Sequence, residues 1–280
     1  MKTMRLLDGS FKHQLSATLG GDNNNREPYY FLWSLNSPYK ANSEYAFFTD
    51  MHIKDAHRYP GKKVAWLLEP PSLSRGHYDK ALEYIDEFEY VLSFWKPYLK
   101  DFGDRGLFYP LGGSWIRPED QGIHEKTKDI CIIVSQKTGA DGHRLRHSTV
   151  ELFADRLGID VFGRGYKPFD SKAEILKPYR YAIVIESWTG EDYFSEKLID
   201  AISMGCIPVY HGCPNIKDYF GKSGILTFDT LRAMENILIN VTSKHDYNMR
   251  MDAIVSNFEL CLQYQCAEDW IYENYGFLFT

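Results

Sequence analysis

The stretch Glu186-Ser-Trp-Thr-Gly-Glu-Asp-Tyr-Phe-Ser-Glu-Lys-Leu-Ile-Asp-Ala-Ile-Ser-Met-Gly-Cys-Ile-Pro-Val-Tyr-His-Gly212 decides how this chain is read. It leaves an apolar strand, passes through a polar loop into a helix, stops at a glycine and enters a second apolar strand, Ile207–Tyr210. Glu196 and Lys197 fall in or near the first helical turn, where backbone N–H groups lack partners and the helix dipole is positive. A lysine there, at the carboxyl end of a strand, suits a bound diphosphate. Tyr193, Glu196 and Lys197 stand at i, i+3 and i+4 and are expected on one helix face, with Leu198, Ile199 and Ile202 nearer the core. The competing reading is a solvated helix with a charged first turn. The flanking strands weigh toward a site.

Working outward, Ile130–Val134, Ile159–Phe162, Tyr181–Ile185, Ile207–Tyr210 and Ile225–Phe228 read as short strands. The helical period of Leu145–Leu157 ends at Gly158, a C-terminal stop. Upstream, the apolar runs Tyr29–Trp33, Tyr45–Phe48, Val64–Leu68 and Tyr90–Phe94 alternate with turn-rich or amphipathic pieces such as Tyr78–Phe88. Strands apolar on both faces and separated by helices predict parallel sheets. The Pro- and Gly-rich stretch Pro110–Gly122 separates the two series. The expectation is an α/β chain with two Rossmann-like parallel-sheet domains facing a cleft, residues 1–115 on the acceptor side and 116–280 on the donor side.

The 280 residues are 44% hydrophobic, enough for a real core, and 15% aromatic. A net charge of −6 argues against nucleic acid or an anionic membrane as partner, but allows one nucleotide in a local basic cluster. The five cysteines, Cys131, Cys206, Cys213, Cys261 and Cys266, form no Cys-x-x-Cys pair and read as reduced. The first ten residues lack an apolar signal core and no run reaches the ~18 residues of a membrane span. A cytoplasmic protein is expected.

A second polar cluster, Gly139–His147, follows a strand and opens a helix, so that Arg144 and Arg146 stand at another strand–helix turn. Guanidinium groups bind phosphate oxygens in bidentate fashion. A basic surface loop is the simpler reading for Arg144 or His143 alone. His143 and His147 have a zinc-compatible spacing, but no neighbouring carboxylate or cysteine completes a set. No Asp-x-Asp occurs, so leaving-group stabilisation by side-chain cations, with no obligatory metal or cofactor, is expected. Glu69 ends an apolar strand directly before Pro70 and Pro71 and is the candidate general base. A carboxylate capping nearby backbone is the alternative. Glu186 ends its strand beside the loop and reads equally well as a ligand contact or a structural hydrogen bond. Gly163-Arg-Gly165 does not complete a dinucleotide fingerprint. Asp50 and Trp115 are candidates by position only.

The opening stretch resembles the signature of the α-1,3-fucosyltransferases, glycosyltransferase family 10. Glu186, Tyr193, Glu196, Lys197, Pro208, Val209, Tyr210 and Gly212 match it; Ile185, Ser187, Trp188 and Ser195 replace Phe, Asn, Ser and Thr. The resemblance implies a GT-B fold and inverting transfer, most readily of fucose from GDP-fucose to a glycan hydroxyl. It gives Glu196 the ribose hydroxyls and Lys197 the diphosphate. Arg146 opens the helix before Val161-Phe-Gly163 and would share the leaving-group charge, while Glu186 and Tyr193 would contact the donor. Glu69 matches the family's base by strand order. The resemblance is to the soluble microbial or viral form, since the family's animal members are Golgi-anchored. The substitutions at Ser187 and Trp188 leave open a different nucleotide sugar. A non-catalytic glycan- or nucleotide-binding relative is the remaining alternative.

Overall fold

The computed structural model describes residues 1–9, 15–20, 26–36 and 43–280. It divides into two compact units: Met1–Gly113 with Cys266–Thr280, and Ser114–Gln265.

The first unit holds six parallel strands: β1 (Lys2–Leu7), β2 (Phe31–Leu35), β3 (Tyr45–Thr49), β4 (Lys62–Trp66), β5 (Tyr90–Ser93) and β6 (Gly106–Phe108), in the order β2-β1-β3-β4-β5-β6. Its helices include α1 (Pro71–Glu83) and α2 (Lys96–Leu99). Pro71 opens α1, where a missing N–H costs nothing. β3 is buried at every position, as a central parallel strand covered on both faces must be. β1, overlooked in the sequence, lies between β2 and β3. Its polar Lys2, Thr3 and Arg5 dilute the apolar signal, although Met4, Leu6 and Leu7 are buried. β6, also overlooked, is too short to carry a pattern.

The second unit holds β7 (Lys128–Ile133), β8 (Asp160–Phe162), β9 (Tyr179–Ile185), β10 (Ile207–His211) and β11 (Leu226–Thr227), all parallel, in the order β11-β10-β9-β7-β8. Its helices are α3 (Asp141–Leu157), α4 (Lys172–Leu176), α5 (Glu196–Ser203), α6 (Leu231–Asn240), α7 (Lys244–Met249) and α8 (Met251–Cys261). β9 shows the period-2 logic: Ala182 and Val184 join the core that contains Leu198, Ile199 and Ile202 of α5. Tyr181, Ile183 and Ile185 join the opposite core with Phe153 of α3 and Met234 of α6. Gly158 ends α3 in the left-handed region (φ 64°), as its place after the last apolar turn predicts.

The sequence reading carried its second domain to residue 280, whereas Cys266–Thr280, with α9 (Ala267–Asn274), packs into the first unit. The fully buried carboxylate of Glu268 explains this. It accepts hydrogen bonds from Ser16 Oγ (2.8 Å), Thr18 Oγ1 (2.6 Å) and Ala17 N. Such long-range polar ties leave no local signal.

In each sheet the chain places one strand on one side of its first, then builds outward on the other side. That creates a topological switch point between β1 and β3 in one unit and between β7 and β9 in the other. In open parallel sheets, ligands bind beyond the carboxyl ends of strands at such points. Among the described residues, no helix is long and apolar enough to cross a membrane.

Candidate functional site

At the β7/β9 switch point three strand–helix connections converge on Glu186. Gly142, in the first turn of α3, lies so close that a Cβ there would stand 1.7 Å from the Glu186 carbonyl oxygen. Gly212, after β10, would place a Cβ 2.6 Å from Glu186 Cγ. Only glycine permits both approaches. Gly142→Ala must push the start of α3 off the β9 loop, and a loss of roughly 3 kcal/mol is expected. An unchanged urea midpoint would contradict this packing.

Glu186 is fully buried and its carboxylate is turned inward. One oxygen accepts Ser195 N (2.9 Å) and the other accepts Ser195 Oγ (2.7 Å). Ser195 is the N-cap of α5, and its Oγ also accepts from Lys197 N (3.5 Å). Lys197 Nζ lies 2.9 Å from Ser195 Oγ, 3.1 Å from Glu196 Oε1 and 3.7 Å from Glu186 Oε2. Burial opposes the Lys197 charge, but Glu196 and Glu186 outweigh it and raise the ammonium above its ordinary value, against the nearby Arg146. Burial would likewise raise Glu196, yet Lys197 and Lys172 bring it down to about 2. The start of α5 is therefore an ionised pair, Glu196 and Lys197, tied through Ser195 to the buried carboxyl group of Glu186.

Arg146 reaches the same place from α3. It is 5% exposed, and its Nε donates to the Ile185 carbonyl (2.8 Å) at the end of β9. Its buried Nη2 has no hydrogen-bond partner among the described residues. Leaving a buried charged donor unsatisfied costs about 1–3 kcal/mol or more. Burial lowers the Arg146 pKa, against the pull of Glu186, Glu196 and Tyr193, but a guanidinium keeps its proton in a protein.

His143 is buried rather than part of a surface loop, the simpler expectation from sequence. Its Nδ1 accepts the Ala140 N–H (3.2 Å), closing the first turn of α3 in the manner of a capping box. Burial, followed by the charges of Arg146, Lys137 and Lys197, pushes its pKa from 6.5 down to about 4. Above pH 6.5 the imidazole is neutral in both folded and unfolded chains. Between 6.5 and about 4 only the unfolded chain takes up the proton, so stability falls as pH drops through that window. The ring resonance is expected to titrate near pH 4 by NMR. A midpoint at 6.5 would contradict the clustered positive charge.

Lys172 and Asp200 escaped the sequence reading. Lys172 Nζ sits 2.8 Å from Asp200 Oδ2, 3.9 Å from Glu196 Oε1 and 4.3 Å from the Trp115 ring centroid. Asp200 Oδ1 takes Ser114 Oγ (3.0 Å) and Trp115 N (2.9 Å). Its place one turn after Glu196, on the helix face that Glu196 and Lys197 share, was the available signal.

Arg146, Glu186, Glu196 and Lys197 are thus brought together. Tyr193 is not on their helix face: Asp192 takes a left-handed φ of 64° and Ser195 is extended, so α5 begins after it. Tyr193 is instead buried in the loop, its hydroxyl 2.9 Å from Ser187 Oγ and its ring edge-on to Trp188. Glu69 belongs to the first unit. It follows β4, is half-buried, and its carbonyl accepts the Tyr78 hydroxyl (2.9 Å). Among the described residues, no three His, Cys, Asp or Glu side chains are grouped to hold a metal ion.

Two parallel-sheet units, the second with an anion-ready pair of helix starts at its switch point, define the GT-B class of glycosyltransferase fold. Within that class, residues 123–250 match the family model described as glycosyltransferase family 10 (fucosyltransferase) C-term. A fucosyltransferase-like protein of Arabidopsis thaliana is 30% identical over 119 residues, 41% of this chain and 23% of the relative. GDP-fucose protein O-fucosyltransferase 3 of Homo sapiens is 24% identical over 211 residues, 69% of this chain and 40% of the relative. The chain thus spans less than half the length of these two curated relatives. An α1,3-fucosyltransferase crystallised with GDP-fucose superposes with a TM-score of 0.52 at 15% identity, covering 79% of this chain and 71% of that one. Anabaena Alr3699/HepE in complex with UDP gives 0.56 at 11%, covering 84% and 78%.

Proposed function

We propose that the protein is an inverting glycosyltransferase that moves a sugar from a nucleoside diphosphate, fucose from GDP-fucose, to a glycan hydroxyl. The observation that carries the reading is the unpartnered, buried Nη2 of Arg146 in a cluster with Lys197 at the β7/β9 switch point. A diphosphate oxygen would supply the missing acceptor. The curated likenesses favour fucose and guanosine, since the O-fucosyltransferases among them are named for GDP-fucose.

In this reading Glu69 takes the acceptor proton and the hydroxyl oxygen attacks the anomeric carbon. The bond to the diphosphate breaks on the opposite face, and its electron pair leaves with the phosphate. Arg146 and Lys197 stabilise the charge that grows on that oxygen, a differential effect that lowers the barrier. Glu196 holds the ribose hydroxyls. Glu186 acts through Ser195 and Lys197, keeping the start of α5 in place, and Tyr193 shapes the donor loop. All five cysteines are free and buried, which supports a reducing compartment.

The test is calorimetric titration of GDP and UDP into the protein with a chelator present. Preferential GDP binding is expected. Preference for UDP would keep the site but overturn the donor. Binding of neither would overturn the donor-site reading. GDP binding without any release of GDP from GDP-fucose would favour a non-catalytic binding protein.

A further inference from the structure

The first unit has a switch point too, between β1 and β3, and a costly arrangement stands there. Asp50, directly after β3, is a non-glycine residue with a φ of 33°. Its side chain is fully buried. Oδ1 accepts Leu68 N (3.1 Å), and the Glu69 backbone N–H also reaches the carboxylate. His77 Nδ1, on α1, lies 3.7 Å from Oδ1. Neither Asp50 Oδ2 nor His77 Nδ1 has a hydrogen-bond partner among the described residues.

Folding alone does not call for this. Glycine would remove the backbone strain, which costs on the order of 1–3 kcal/mol. Asparagine would still accept the two N–H groups without burying a charge. Strain and buried charge held against such alternatives cluster at functional sites. What the carboxylate grips is the turn that carries Glu69, and Tyr78 pins the same turn by donating its hydroxyl to the Glu69 carbonyl.

We propose that Asp50, with the His77 imidazole beside it, is the positioning residue for Glu69: it holds the Leu68–Glu69 turn so that the Glu69 carboxyl meets the acceptor hydroxyl in one orientation. The inference rests on the reading of Glu69 as the base. The ionisable groups facing Asp50 are His77, Glu69, Tyr78 and Tyr109, with Asp8 one step away through Thr49, whose hydroxyl donates to Asp8 Oδ1 (2.5 Å). Burial raises Asp50 above the usual carboxylate range, opposed by His77 and the two backbone N–H groups. Both tyrosines are pushed well above their ordinary values by burial and stay neutral. Removing the imidazole therefore raises Asp50 further.

The experiment follows GDP release from GDP-fucose with water as acceptor, across pH, beside GDP calorimetry. Asp50→Ala, which removes the acceptor of both N–H groups, is expected to lower kcat about 10- to 100-fold with KM and GDP affinity unchanged. Asp50→Asn, which keeps the acceptor, is expected to recover most of that loss. His77→Gln is expected to move the acid limb of kcat to higher pH, and to move nothing in the Asp50→Asn background. The His77→Gln profile carries the test if Asp50→Ala fails to fold. Wild-type kcat in Asp50→Ala and a wild-type pH profile in His77→Gln, with Glu69→Gln inactive, would overturn the positioning role alone. An active Glu69→Gln would instead overturn the reading on which it rests.

Discussion

Glu69→Gln is expected to lower the rate of GDP release from GDP-fucose by about 10²–10⁴-fold, the usual contribution of a positioned general base. The substitution keeps the volume and removes the ability to take a proton. The turn is held by backbone groups, Leu68 N on Asp50 and Glu69 O on Tyr78, which the change does not touch. The fold should survive, and GDP affinity, which belongs to the second unit in this reading, should not move. A full rate in Glu69→Gln would remove the base assignment outright.

Neutralising Lys197 is the second large effect. Lys197→Met is expected to reduce turnover by about 10²–10³-fold, the scale seen when one preorganised stabilising group is deleted from a water-excluded site, and to weaken GDP binding. Because Lys197 lies between Glu196 and Glu186, the variant also removes a cation that both carboxylates share. Glu196 is left with Lys172 and Glu186 with its Ser195 hydrogen bonds, and a loss of stability is expected. Thermal unfolding separates the effects: Lys197→Arg should recover stability before it recovers rate. The acid titration offers an internal check. Glu196, depressed from 4.5 to about 2, contributes stability that is complete above pH 4.5 and lost as pH falls toward 2. In Lys197→Met that loss should begin at higher pH. Wild-type GDP affinity in this variant would break the diphosphate argument.

Much of this was legible beforehand because β strands buried on both faces write their own signal. Tyr181–Ile185, Ile207–Tyr210 and Val64–Leu68 announced central strands, and Gly158 announced a helix end. Arg146, Glu196 and Lys197 were legible because helix starts after strands are short-range features. What stayed hidden depends on partners distant in sequence. Lys172 matters through Asp200 and Trp115, and His143 through the cations around it. Asp50 matters through a turn and a histidine contributed by later segments. Tyr193 was misplaced by the opposite error: periodicity ran the helix back to Tyr193 through Ser195, whose extended backbone makes it the N-cap.

The tie from Glu268 back to Ser16, Ala17 and Thr18 bears on how the chain is made. The second unit is uninterrupted in sequence, whereas the first is assembled from residues on both sides of it. As the polypeptide emerges during synthesis, the sheet that carries Asp50 and Glu69 must wait, with its apolar strands uncovered, until the residues after Gln265 arrive. The inserted unit can fold meanwhile on its own contacts. Nascent chains halted before α9 should therefore be where chaperones engage this protein most.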